Sequence, residues 1–86
     1  MGHSRTKVVQ ALYAIHRITP RGELISGRRV SVVSSLPVKT THVHLKYLKR
    51  KGLIRCPEGK RGWEVTPELL QKAKEGEWVI NAPKPN

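Results

Sequence analysis

Residues Ser34 to Ile54, S-S-L-P-V-K-T-T-H-V-H-L-K-Y-L-K-R-K-G-L-I, are the stretch whose reading decides the fold. Pro37 suits the first position of a helix, because its missing N–H would be unpaired there in any case. Gly52 suits the left-handed residue just past a helix end. The spacing therefore predicts a helix over residues 37–51, about four turns long, and Leu53-Ile54 opens a strand behind it. At about 100° per residue, Val38, Thr41, Leu45 and Leu48 gather on one side, the candidate buried face. Lys39, Thr40, Val43, Lys46, Tyr47 and Arg50 gather on the other. A threonine in the middle of a buried side is tolerable if its hydroxyl bonds a carbonyl one turn back.

Working outward towards the N-terminus, Ser4 is placed to cap a helix with Val8, Ala11, Leu12, Ile15 and Ile18 on one apolar face, the i, i+3, i+4, i+7 spacing. Thr19-Pro20-Arg21-Gly22 ends it, since proline cannot continue the hydrogen-bond ladder. Glu23-Leu24-Ile25 reads as a short extended piece. A second helix runs from about Ser26 to about Ser34; its serines, valines and Gly27 are mediocre helix formers, and the helix that follows is the main reason to expect a partner there.

Towards the C-terminus, Leu53–Cys56 and Trp63–Val65 read as strands joined by Pro57-Glu58-Gly59-Lys60-Arg61-Gly62. Trp63 is expected in the core, anchoring that hairpin to the helices. Thr66-Pro67-Glu68 spells a helix start: cap, proline at the first position, carboxylate near the positive end of the dipole. Leu69, Leu70 and Ala73 follow, and the helix ends by Gly76. Residues 1–76 thus form one domain and residues 77–86 a Pro-rich tail. Trp78-Val79-Ile80, at the start of that tail, reads equally well as folding back on the first helix or as a dimer contact.

The chain has 86 residues, 17 Lys+Arg against 6 acids (every acid a Glu) and a formal charge of +11. Such an excess repels itself and attracts polyanions, so nucleic acid or an anionic membrane surface is the implied partner class. No apolar run approaches the ~20 residues needed to span a bilayer, and M-G-H-S-R-T-K lacks the apolar core of a signal peptide. Cys56 is the lone cysteine, which excludes an internal disulfide and fits a reducing, cytoplasmic setting. Abundant Lys, Arg and Glu with few Asn and Gln hint at a thermophilic source. Charge is also unevenly placed. Eight cations (Lys39, Lys46, Lys49, Arg50, Lys51, Arg55, Lys60, Arg61) lie between residues 39 and 61 with only Glu58 among them.

The order helix, short strand, helix, helix, strand, hairpin loop, strand, helix resembles a winged helix-turn-helix domain of the small bacterial and archaeal transcription-regulator type. The resemblance is carried by Leu45-Lys46-Tyr47-Leu48-Lys49-Arg50-Lys51-Gly52-Leu53-Ile54, a Leu-x-x-Leu-x-x-x-Gly-Leu-Ile run, and by Leu36-Pro37-Val38-Lys39-Thr40-Thr41 at the place of the turn. The Ser/Val-rich second helix departs from the Ala-and-Leu pattern usual there. The resemblance implies an α+β fold: a three-helix core, a two- to three-stranded wing sheet and a short C-terminal helix. It also implies a recognition helix, residues 37–51, in the major groove and a wing, residues 57–62, on the backbone.

The residues suit that use. Lys39 and Lys46 can donate to guanine or phosphate, Thr40 to either kind of target, and Val43 can lie against a thymine methyl. His42, on the flank of this face, completes the candidate base contacts. Tyr47 and Arg50 are placed for the backbone. Arg28 and Arg29 oppose the dipole at the start of the second helix, so an external anion explains them better than the helix does; Lys60 and Arg61 occupy the wing tip.

The sequence thus leads to a sequence-specific binder of double-stranded DNA, a transcription regulator, cytoplasmic and nucleoid-associated. If about six phosphates are neutralised, the log–log salt slope should be about −5. The competing reading keeps the fold but makes it an architectural, chromatin-like or RNA-binding component. A third makes it a protein-interaction module docking through Trp78-Val79-Ile80. RNA and a second copy of the chain stay open as partners, whereas a membrane does not. No catalytic set, Gly-rich phosphate loop or nucleophile elbow is visible, so no enzyme and no cofactor are expected. His42 and His44, two apart on a helix, do not share a face and make a poor metal pair.

Overall fold

A computed structural model describes residues 3–74. They form an α+β fold in the order α1 (His3–Ile18), α2 (Gly27–Ser34), α3 (Val38–Arg50), β1 (Ile54–Arg55), β2 (Glu64–Val65) and α4 (Pro67–Lys74). The expected tail, 77–86, with Trp78-Val79-Ile80, lies outside the described residues.

The long helix α1 is the centre of the packing. It touches α2, α3 and β2, and Val8, Val9, Ala11, Leu12 and Ile15 are buried along it. Val9, absent from the expected apolar stripe, is buried because neighbours cover the helix on more than one side. Ile18, expected on the buried face, is 70% exposed, since it sits at the helix end beyond the layer that α1 covers. Ser4 lies inside the first turn rather than ahead of it. The core is completed by Ile25, Val30, Leu45, Leu48, Leu53, Ile54, Val65 and Leu69, with Leu36, Tyr47, Trp63 and Leu70 packed against it.

Helix α2 forms despite its composition because its serines are used. The Ser26 hydroxyl accepts the Arg29 N–H at 3.1 Å, satisfying one orphan donor of the first turn. At the other end Ser35 takes the left-handed conformation (φ 61°). The Leu36 N–H then reaches the Ser31 carbonyl at 3.2 Å, and the Ser31 hydroxyl donates to the Leu36 carbonyl at 2.6 Å. These bonds set the turn that carries the chain into α3. Pro37 is the cap residue of α3, with extended ψ of 151°, so the helix proper starts one residue later than expected. Gly27 lets the two helices approach: a Cβ there would lie 3.0 Å from Cε1 of the His42 ring.

Within α3, Thr41, Leu45 and Leu48 are buried as the spacing predicts, whereas Val38 is 47% exposed at the first turn. The Thr41 hydroxyl does not make the expected bond to the preceding turn: Oγ1 is buried and unpartnered. A buried hydroxyl without a partner costs roughly 1–3 kcal/mol. Thr41→Val, of nearly the same shape, is therefore expected to raise stability by about 1 kcal/mol, read as a higher denaturant midpoint at unchanged slope. An unchanged or lower midpoint would mean that the hydroxyl is satisfied in solution.

The two strands pair antiparallel, Ile54 with Val65 and Arg55 with Glu64. Ile25 adds a bridge at the edge, exchanging both hydrogen bonds with Trp63 (2.8 and 2.7 Å). The sheet itself has two strands, and the short extended piece expected at Glu23–Ile25 joins it only through this single bridge. Thr66 precedes α4 as expected, but its hydroxyl donates to the Leu53 and Gly52 carbonyls at 2.8 and 2.9 Å. It fastens the α4 entrance to the start of β1 instead of capping the helix.

Candidate nucleic-acid interface

Because Thr41, Leu45 and Leu48 are turned into the core, helical geometry turns Lys39, Val43, Lys46 and Arg50 to the opposite side. All four are exposed. Val43 is 64% exposed in the midst of these cations. Lys39, Lys46 and Arg50 have no ion-pair partner among the described residues. The described acids, Glu23, Glu58, Glu64 and Glu68, all lie outside α3. Ile18, Val32, Val33 and Val38 are exposed as well; Val43 differs from them in standing among the outward cations of α3, where it suits an apolar contact on a partner surface.

The remaining candidates sit on the flanks of α3. His42 is exposed on the α2 side, its ring over Gly27. Arg28 and Arg29, exposed in the first turn of α2, are on the same side. Thr40 and Tyr47 are half-buried on the other flank. The Tyr47 ring packs against the core and carries the Arg5 guanidinium 3.8 Å from its centroid, so the N-terminal turns of α1 cover the side expected to be open. Lys51 Nζ lies 5.6 Å from the same centroid. Arg5 and Lys51 were not among the sequence candidates, because a contact between residues 5 and 47 has no local signature.

Lys60 and Arg61 are exposed in the hairpin loop Pro57–Gly62, closed by a Lys60 N–H to Pro57 carbonyl bond of 3.2 Å. Arg55 and Glu64 form a cross-strand ion pair at 3.1 Å behind that loop. It is solvent-exposed and so worth at most about 1 kcal/mol, but it takes Arg55 off the list of unpaired cations. Cys56 is exposed as a free thiol. Among the described residues no group of three His, Cys, Asp or Glu converges as a metal site would require. No helix there is long and apolar enough to cross a membrane.

His44, half-buried between α3 and α1, has its Nδ1 buried without a partner. Burial, with the nearby Arg5 charge adding to it, lowers its pKa below the ordinary 6.5. The folded protein therefore binds this proton less readily than the unfolded chain, and the stability His44 contributes is present above 6.5 and lost as pH falls below it. Thermal melts are expected to show a midpoint that drops between pH 7 and about pH 5, with His44→Gln flattening this fall. An identical fall in the variant would sink the assignment.

Comparison with protein-family models, curated proteins and solved structures finds no match to this chain.

Proposed function

We propose that the protein binds double-stranded DNA in a sequence-specific manner as a small winged helix-turn-helix transcription regulator. In this reading α3 is the recognition helix in the major groove, and the 57–62 loop is the wing on the backbone. The observation that carries it is the outward face of α3, where exposed Val43 stands among Lys39, Lys46 and Arg50, cations without an ion-pair partner among the described residues. Cations alone would suit any polyanion. An exposed apolar group among them suits a surface offering methyl groups beside hydrogen-bond acceptors, which is the major-groove edge of mixed-sequence DNA. The Ser31–Leu36 bonds order the turn between α2 and α3, which suits a reading helix carried on a turn. Lys39, Thr40, His42, Val43 and Lys46 read bases; Arg28, Arg29, Arg50, Lys60 and Arg61 neutralise phosphates. Tyr47 acts beside them as the seat of Arg5.

The test is binding to a pool of random duplexes at several salt concentrations, followed by sequencing of the retained fraction. An enriched motif, weakened more by Lys46→Ala than by Lys60→Ala, is the expected result. Tight binding without enrichment would replace this reading with the architectural one. Preference for structured RNA over duplex DNA would move the protein to the ribonucleoprotein class.

A further inference from the structure

The corner where α1 meets the flank of α3 holds cations that the α3 face does not account for. Arg5 lies over the Tyr47 ring at 3.8 Å, and Lys51 approaches the same ring at 5.6 Å. Arg5 Nε is buried and has no hydrogen-bond partner. Neither Arg5 nor Lys51 has an ion-pair partner among the described residues. Arg5 also acts on His44 as a like charge, helping to disfavour its protonated form. Three cationic or protonatable groups therefore share one corner, with no carboxylate paired to them among the described residues.

Stacking on an aromatic face fixes the plane of a guanidinium while leaving its edge free to donate. A pinned, edge-on guanidinium matches two oxygens of a phosphate, and a flexible ammonium beside it adds charge without geometry. Tyr47 is seven residues, close to two turns, beyond Thr40 on the same flank of α3. The corner thus adjoins the outward face and lies across it from the Arg28–Arg29 turn of α2.

We propose that Arg5, seated on Tyr47 with Lys51 beside it, is a second phosphate-binding position, which takes the sugar-phosphate backbone of duplex DNA on the α1 side of the recognition helix. The proposal rests on the duplex-binding reading above. The backbone would then be held on both flanks of α3, by Arg28 and Arg29 on one and by Arg5 and Lys51 on the other. Tyr47 is a positioning residue in this arrangement: its ring fixes the guanidinium and does not itself meet the DNA.

The experiment is a titration of the full chain against a labelled random-sequence duplex at four or more salt concentrations, for the wild type, Arg5→Gln, Arg5→Lys and Arg50→Gln. Arg5→Gln is expected to weaken binding about 3- to 10-fold on every sequence and to make the log–log salt slope shallower by about 0.9. Arg5→Lys, which keeps the charge, retains the wild-type slope. A purely structural role for Arg5 would lower the melting temperature and the active fraction and leave the Arg5→Gln slope at the wild-type value. That outcome overturns the proposal. If Arg50→Gln changes the slope while Arg5→Gln does not, duplex binding stands and the second phosphate position alone fails. If the wild type shows no salt-dependent duplex binding, both fail together.

Discussion

Replacing Lys39, Lys46 and Arg50 together by alanine is expected to weaken binding to the preferred duplex by about a thousandfold and leave the fold intact. The three side chains are exposed, without ion-pair partners among the described residues, and alanine is at least as good a helix former as lysine or arginine. The loss has two parts of different character. Lys39 and Lys46, if they donate to base edges, each account for about 1–3 kcal/mol on the correct sequence and much less on a wrong one. Arg50, if it meets the backbone, contributes equally on all sequences and accounts for about one unit of salt slope. A random duplex should therefore lose only about tenfold, and the triple variant should discriminate poorly between the two. As a control, Arg17→Ala/Arg21→Ala removes two exposed cations outside α3 and should leave both affinities nearly unchanged. Competitive titration of preferred against random duplex reads all of this. Equal losses on the two duplexes would show that the face supplies charge and no specificity, and no loss on either would remove α3 from the interface.

How far the sequence foretold this site follows from where each contact comes from. Periodicity within one helix was sufficient for Thr41, Leu45 and Leu48 inward and for Lys39, Val43, Lys46 and Arg50 outward. It fell short for Thr40 and Tyr47, both half-buried, because a helix face is open only if nothing distant covers it, and Arg5 lies over the Tyr47 ring. The same limit explains Val9, buried by elements far along the chain, and Ile18 and Val38, left exposed at helix ends that extend past the core. Helix α2 is legible from its position rather than its propensity, and the reason is tertiary and cap bonding. Ser26, Ser31 and Ser34 each bond a backbone group in or beside it, uses that a propensity scale counts against them. Thr66 precedes a helix, as its Thr-Pro-Glu context indicates, yet its hydroxyl serves residues 13 and 14 positions earlier. The chain's local signals thus fix where the elements lie, while long-range partners decide which polar groups are free for a ligand.

Gly62→Ala should be strongly destabilising, lowering stability by about 2–5 kcal/mol and the melting temperature by more than about 10 °C. Two independent costs meet at this residue. Its φ of +124° is one that L side chains rarely adopt, and forcing alanine into such a conformation costs about 1–3 kcal/mol. A Cβ built there would also stand 2.7 Å from Leu24 Cβ and 3.3 Å from the Ile25 carbonyl oxygen. Leu24 Cβ is held by its own backbone and cannot swing aside as a side-chain tip would. Relief requires the Leu24–Ile25 segment to move, which opposes the two hydrogen bonds between Ile25 and Trp63. Gly59 separates the two costs, because it has φ +80° in the same loop with nothing within 4 Å of its Cβ position. Gly59→Ala should therefore cost only the conformational part, about 1 kcal/mol. For a domain this small the total stability is of order 5 kcal/mol, so Gly62→Ala removes much of it while Gly59→Ala leaves a folded, measurable protein. Paired thermal melts decide the matter. Equal midpoints for the two variants would mean that the loop and the Leu24–Ile25 segment are not packed as closely in solution, and that the 57–62 loop is not fastened to that segment through Gly62.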